Sequence, residues 1–260
     1  EPYLLSAKKR YTFELKLGVE TDTLDFDKNA KILKEQEWSF ITRDQIIGVL
    51  EKFRGEVLQE PPLYSAIKYN GRPLYEYARS GQTHELDLSQ FRKKFKVYEL
   101  ELLGYNSEKG LMTLTVVASK GFYIRSLARD LAKALGTCGT VSQLRRTECS
   151  GLKETEMVNF TDLCKALDSE ESIEPFLKKI EDLPLALEKV SLNTSEQVRR
   201  IKHGQVIQFE SLQSISSKGS MTESPVLLLE RSGKVLGLGK KVFSQEKDKQ
   251  VGYKLLRSLV

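Results

Sequence analysis

Residues 119–136 read SKGFYIRSLARDLAKALG, and the fold turns on how this stretch is parsed. An apolar run ends just before it, and Lys120-Gly121 makes a turn. Tyr123 and Arg125 then stand where the composition becomes helical. Leu127, Leu131 and Leu135 recur every four residues, with Ala128 beside the first, and give the helix one apolar face. A strand, a tight turn and an amphipathic helix in succession hold a side chain rigidly at their junction. Arg125 is therefore the leading candidate for a functional cation. The competing reading is a solvated first-turn arginine, the usual state of a charged residue.

Working upstream, residues 91–105 and 110–118 are strand-like runs joined by a polar turn at 106–109, a hairpin that feeds the opening stretch. Before it, residues 60–81 read EPPLYSAIKYNGRPLYEYARSG. Tyr64, Tyr69, Tyr75 and Tyr77 lie there among Lys68, Arg72 and Arg79, punctuated by Pro61, Pro62, Gly71 and Pro73. Aromatic rings interleaved with cations suit stacking on bases and pairing with phosphates. The alternative is a tyrosine-rich loop folded back on the protein. Residues 73–80 have the pattern of a short helix. Residues 42–54 form an amphipathic helix capped by Thr42, with Ile46, Ile47, Leu50 and Phe53 as its core stripe and Gly55 as its stop.

At the start, KKRYTFELK (8–16) alternates as a strand and places Tyr11 after three cations. TDTLDFD (21–27) carries three carboxylates without the glycine that a calcium loop needs at its sharp turn. Asp22 and Asp25 accordingly read as turn caps or arginine partners.

Downstream, residues 141–144 suggest a short strand leading into Arg145 and Arg146, and residues 160–167 and 173–180 suggest helices. From about residue 192 the texture changes. A basic segment (198–204) precedes a hairpin, 226–229 and 234–239, around Ser232-Gly233. Two further short strands at 242–243 and 253–256 complete the pattern of a small β-barrel module. The serine-rich piece 211–224 reads as an exposed loop. The division expected is 1–190 for a larger domain and 191–260 for the small one.

Bulk properties narrow the function classes. The chain has 260 residues, 40 % of them hydrophobic, enough for a substantial core. No run of 18 apolar residues suggests a membrane span, and the first residues lack a signal-peptide core. Three cysteines, Cys138, Cys149 and Cys164, lack metal-ligand spacing, and the two histidines, His84 and His203, have no partner for a triad or a zinc site. A reducing, cytoplasmic setting is expected, with little conventional acid/base or metal equipment. The net charge of +5 is uneven. Residues 1–152 hold 24 basic and 20 acidic side chains, residues 153–188 hold 4 and 10, and residues 193–260 hold 12 and 6. A basic terminal module fits a polyanionic partner.

KKRY, GxxTDTLD, PPLYSAIKYNGRPLYEYARSG, SKGFYIRSLARDL and LRRTxxxG occur here in one order. Together they closely resemble the bacterial tRNA pseudouridine-55 synthases of the TruB type, over essentially the whole chain. The resemblance implies an α+β fold, with a mixed, mainly antiparallel sheet flanked by helices and then a small PUA-like β-barrel. It implies a cofactor-free isomerase acting on one uridine in the T-loop of tRNA, with no obligatory protein partner. Tyr11 matches the family's base-stacking tyrosine, and Arg125 the arginine that pairs with the nucleophilic aspartate. Tyr123 and Leu144 match positions lining the uridine pocket, and Asp25 an acidic residue close by. Tyr64, Lys68, Arg72, Lys120, Arg145 and Arg146 are the expected RNA contacts.

One departure stands out. The family's aspartate sits in a motif of the form Gly-His-x-Gly-x-Leu-Asp-Pro, and that motif is not among these 260 residues. The chain opens on Glu1 rather than Met and soon enters strand-like sequence. It therefore reads as a fragment that begins after the catalytic loop, inactive and unstable by itself. Two other functions compete: a non-catalytic tRNA-binding or RNA-chaperone protein of the same fold, and a ribosome-assembly module in which the β-barrel acts.

Overall fold

The computed structural model describes residues 8–83, 86–169, 171–185, 187–208, 213–214, 225–243 and 250–259. They fall into two compact units, Ala7–Thr155 and Glu156–Val260.

In the first unit the elements are β1 (Lys9–Leu17), β2 (Val19–Thr21), β3 (Ile32–Glu35), α1 (Arg43–Glu51), β4 (Gly55–Gln59), β5 (Lys68–Tyr69), β6 (Arg72–Pro73), α2 (Leu74–Arg79), β7 (Lys93–Asn106), β8 (Leu111–Ala118), α3 (Ile124–Ala134), β9 (Gly139–Cys149) and β10 (Leu152–Lys153). The main sheet runs in the order β10-β9-β1-β8-β7-β4, with antiparallel neighbours throughout. Alternation in β1 sends Phe13, Leu15 and Leu17 into the core, while Thr12, Glu14 and Lys16 face outward. Met112, Leu114, Val116 and Ala118 of β8 extend the same apolar face. The opening stretch folds as its periodicity predicts: α3 lays Leu127, Ala128, Leu131 and Ala132 on this face. Each fully buried leucine contributes about 1.5–3 kcal/mol.

Two close approaches lock the layers. Gly139 opens β9, and a Cβ placed there would lie 2.7 Å from the Ala132 Cβ and 2.8 Å from a Leu15 methyl. Trp38 fills the space beside Gly18 and Gly110, both in the left-handed region at φ 83° and 62°.

Several local expectations are corrected. Ile47 is 46 % exposed, because it sits about 80° around α1 from the middle of the stripe made by the buried Ile46 and Leu50. Thr42 does cap this helix, reciprocally with Gln45. Gly55 is not its stop: α1 closes through Lys52, and Gly55, at φ 81°, opens β4. The short strand expected at 141–144 is the middle of an eleven-residue strand, because β1 pairs with β9 from Gly139 through Cys149. QLRRTE, polar but for Leu144, hides it from an apolar-run criterion. Residues 173–180 do not form a helix. They contain a 3-10 turn, Glu174–Phe176, in whose first turn Pro175 removes a backbone donor, the chain is extended again at Leu177, and a second 3-10 turn, Ile180–Asp182, begins at their end.

The second unit contains α4 (Phe160–Asp168), β11 (Glu188–Leu192), α5 (Ser195–Lys202), β12 (Ile207–Gln208), β13 (Gln213–Ser214), β14 (Val226–Glu230), β15 (Val235–Phe243) and β16 (Gln250–Ser258). Its sheet order is β12-β16-β15-β14-β11-β13, with β11 parallel to β14 and the other pairs antiparallel, curled into a half-barrel. One face packs Val190, Leu192, Ile201 and Tyr253, and the other Leu227, Leu229 and Val235. Residues 242–243 are the end of β15, not a separate strand. The loop expected at 211–224 lies outside the described residues, apart from Gln213–Ser214, which pairs with β11. His84 is also outside them. The α+β class, with a mainly antiparallel sheet, helices and a terminal PUA-like half-barrel, holds.

Candidate active site

The turn after β8 brings the chain round so that Tyr123 is the N-cap of α3 and Arg125 lies in its first turn. Arg125 does not extend into solvent. Its Nη1 donates to the Thr23 carbonyl and its Nη2 to the Tyr64 carbonyl, each at 2.9 Å. One guanidinium thereby joins three segments: α3, the TDTLDFD loop and the PPLY segment. A guanidinium has five N–H donors. Two are used among the described residues, and these bonds hold the planar fork in place.

Asp22 and Asp25 are two of the three carboxylates in the TDTLDFD loop that Arg125 ties down. Asp25 forms an isolated parallel bridge with Val141 of β9, and Phe26 N–H donates to the Val141 carbonyl at 2.7 Å. Burial pushes the Asp25 carboxyl above its ordinary value, and the nearby Arg125 charge opposes that rise. Asp22 is a turn cap: its Oδ1 accepts from Thr23 N–H at 2.9 Å and Lys31 N–H at 3.0 Å. Its Oδ2 accepts from the Tyr64 hydroxyl at 3.4 Å. Burial and then the Asp22 charge raise the Tyr64 phenol.

Strand register places the remaining candidate residues. Tyr11 pairs with Val116 on one side and Arg146 on the other, and Phe13 pairs with Leu144. Tyr11, Leu144 and Arg146 therefore share the sheet face that carries α3. Tyr11 packs half-buried against the core, and Leu144 is 45 % exposed, an apolar side chain left open on that face. Arg145 pairs with Thr12 on the opposite face and binds Glu154 at 2.5 Å. The two neighbouring arginines thus serve opposite surfaces.

The tyrosine-rich segment is folded largely on itself. Asn70 and Gly71, both at positive φ, turn β5 into β6. Tyr69 meets Tyr77 and Phe91 edge-on, each with centroids 5.9 Å apart. Arg72 lies over Tyr77 at 4.7 Å and also binds Glu76, Ser80 and Gln82. Lys68 is exposed on β5, and Lys120 is exposed in the turn before α3. The sequence reading overlooked Gln59. It is 1 % exposed, and its amide clasps the backbone of Tyr123. A lone glutamine before two prolines carries no signal that would single it out.

Two clefts lie elsewhere. One of about 630 Å³ flanks the far half of α3 and mixes Lys34, Arg129 and Lys133 with Glu60 and Asp130. The other, about 680 Å³, belongs to the second unit; Lys178, Lys179 and Lys234 line it above Ile180, Val235 and Leu259. Among the described residues, no group of three or more His, Cys, Asp or Glu could hold a metal ion.

Residues 1–124 match the model of the TruB family pseudouridylate synthase N-terminal domain, and residues 125–184 match that of the tRNA pseudouridylate synthase B C-terminal domain. The tRNA pseudouridine synthase B of Haemophilus influenzae is 35 % identical over 229 residues, covering 87 % of this chain and 70 % of that protein. The synthase of the same name from Hydrogenovibrio crunogenus is 37 % identical over 202 residues, covering 77 % of this chain and 61 % of that protein. That from Francisella tularensis is 42 % identical over 171 residues, 66 % and 54 % respectively. The chain thus spans little more than half the length of the latter two. A Cbf5-Nop10-Gar1 complex matches in structure with a TM-score of 0.65 and 22 % identity, over 99 % of this chain and 68 % of the matched one. An H/ACA RNP bound to a substrate RNA containing 2′-deoxyuridine matches with 0.65 and 19 %, over 99 % and 67 %. These likenesses extend the agreement in fold, and the curated relatives extend it in sequence: the chain belongs to the TruB family of pseudouridylate synthases.

Proposed function

We propose that the protein isomerises a uridine of tRNA to pseudouridine, that the target is uridine 55 in the T-loop, and that the nucleophilic aspartate lies in a segment preceding Glu1. The observation that carries this reading is Arg125, half-buried, fixed by two backbone carbonyls and left with donors for a carboxylate. In the reaction the N-glycosidic bond breaks, the base turns, C5 joins the ribose, the C5 proton leaves and N1 takes up a proton. The product is an isomer, so no outside reactant is consumed.

Each residue has a physical task. Extruding a base from a folded loop costs a few kcal/mol. The Tyr11 ring, on the same face as Leu144, offsets about 1–3 kcal/mol of that by stacking. Arg125 keeps its aspartate ionised and oriented by a two-point contact. The Tyr11 hydroxyl accepts the C5 proton late in the reaction. The 12 basic against 6 acidic residues of 193–260, and the lysine-lined cleft beside them, favour contact with the RNA backbone.

The test is tritium release from C5 of labelled uridine in tRNA. The full-length protein should release it from a tRNA with uridine at position 55 and not from one with cytidine there. The 260 residues alone should release none. Release by the isolated chain would place the nucleophile within it and defeat the assignment. Absence of release by the full-length protein, with tRNA still bound, would favour the RNA-chaperone reading.

Tyr11→Phe keeps the ring and removes the hydroxyl. It should leave tRNA affinity within about threefold and slow turnover about 10²-fold or more, the scale of general-base contributions. Turnover near that of the unaltered protein would exclude the hydroxyl as the base.

A further inference from the structure

We propose that Gln59 is a positioning residue for this site: from the end of β4 it sets the N-terminus of α3, and with it Tyr123 and Arg125. The inference rests on the function proposed above only in what Arg125 and Tyr123 are positioned for. The clasp itself is geometric.

A helix begins with N–H groups that have no partner within the helix. Most helices answer this with a Ser, Thr, Asp or Asn at the N-cap, as Thr42 does for α1 and Thr194 for α5. The N-cap of α3 is Tyr123, and its side chain makes no capping bond. Gln59, 64 residues earlier in sequence, supplies a fixed point from outside the helix. Its Oε1 accepts the Tyr123 N–H at 2.8 Å, and its Nε2 donates to the Tyr123 carbonyl at 3.1 Å. That carbonyl also accepts the first helical bond, from Leu127 N–H at 3.1 Å. A two-point amide clasp fixes both the position and the rotation of the peptide it holds. Burial at 1 % exposure strengthens it, since no water competes for either bond.

Neighbouring contacts give the clasp its reach. Glu60 receives Arg129 at its backbone carbonyl at 3.3 Å, and Arg92 at its carboxylate at 3.0 Å. Pro61 and Pro62 follow, both buried and with φ restricted by their rings. Tyr64 then offers its carbonyl to Arg125. The stretch from Gln59 to Tyr64 is thus tied to α3 at each end, at Tyr123 and at Arg125. A shift of the Gln59 end moves the Tyr64 carbonyl and rotates the first turn of α3. Displacements of about 1 Å at a reacting group can reduce rate 10²-fold.

Two substitutions in the full-length protein test this. Gln59→Leu removes both bonds while retaining volume. It should slow single-turnover pseudouridine formation about 10²-fold with tRNA affinity within about threefold, a kcat rather than a KM effect. Gln59→Glu keeps the shape. Its protonated form restores both bonds, and its ionised form opposes the Tyr123 carbonyl. The rate of Gln59→Glu relative to the unaltered protein should therefore climb as pH falls from about 8 to about 6, because burial raises a carboxyl pKa. Hydrogen exchange at the Tyr123 amide reads the clasp without any turnover, and Gln59→Leu should speed it at least about tenfold. A folded Gln59→Leu protein with unchanged Tyr123 exchange would overturn the clasp. Faster exchange with a rate within about threefold of normal would overturn its role in positioning. If the unaltered protein makes no pseudouridine, the proposed function fails, and the exchange result still decides the clasp.

Discussion

Arg125→Ala in the full-length protein is expected to slow pseudouridine formation by about 10³-fold or more while leaving tRNA affinity within about tenfold. The guanidinium is tied to the carbonyls of Thr23 and Tyr64, so its charge is already placed and its fork already oriented. Little reorganisation remains when a carboxylate meets it, and a preorganised charge of this kind is among the larger contributions to catalysis. Alanine removes the charge, the fork and the tie between three segments together. Arg125→Lys separates these effects. It keeps the charge, but an ammonium on a flexible stem does not reproduce a planar two-point contact. Lysine should therefore recover part of the loss and remain about 10²-fold slow. Single-turnover rates with saturating enzyme, alongside filter binding of the same tRNA, separate chemistry from affinity. A loss confined to binding would make Arg125 an RNA contact and not the partner of a nucleophile.

The second large effect concerns stability. Gly139→Val is expected to destabilise the protein by about 3 kcal/mol, the upper part of the usual range for overpacking a core. The new Cβ would meet Ala132 on α3, a Leu15 methyl on β1 and, at 3.2 Å, the Lys16 carbonyl. The side-chain neighbours are themselves fully buried, so neither has room to retreat. Relief requires α3 to lift from the sheet, which loosens Leu127 and Leu131. Urea unfolding of Gly139→Val should show a lower midpoint with an unchanged slope. Gly48, on α1 with open space around its Cβ position, serves as the control, and Gly48→Ala should be neutral or stabilising by up to about 1 kcal/mol. Equal effects at the two glycines would show that β9 and α3 are not closely apposed.

How much could be read in advance varied with the kind of signal. Alternation in β1 and the four-residue period of α3 are local, and both elements formed where the pattern put them. Strand β9 is legible only at its start, because Gln143 through Glu148 are polar but for Leu144 and their strand geometry is imposed by pairing with β1. The apolar stripe read for α1 takes in Ile47, although its angular position at the edge of that stripe leaves it exposed. In the tyrosine-rich segment the residue types were informative, but their partners were not. Arg72 and Tyr77 face each other, a contact equally open on sequence to a nucleic-acid base. Arg145 and Arg146 looked equivalent as neighbours, and the pleat sends them to opposite faces.

The sequence alone determined β1, the β7–β8 hairpin and α3, the candidacy of Arg125 and the resemblance that tied it to Tyr11, because residue types and spacings are properties of the chain. The tertiary structure alone decided what holds Arg125, which face Tyr11 shares with Leu144 and Arg146, and that Gln59 sets the start of α3. The bonds of Arg125 to Thr23 and Tyr64 span 102 and 61 residues, and that of Gln59 to Tyr123 spans 64. Two of these acceptors are backbone carbonyls and the third contact is to a backbone amide, groups that every residue carries alike. Only the folded path of the chain selects which of them meets a given side chain.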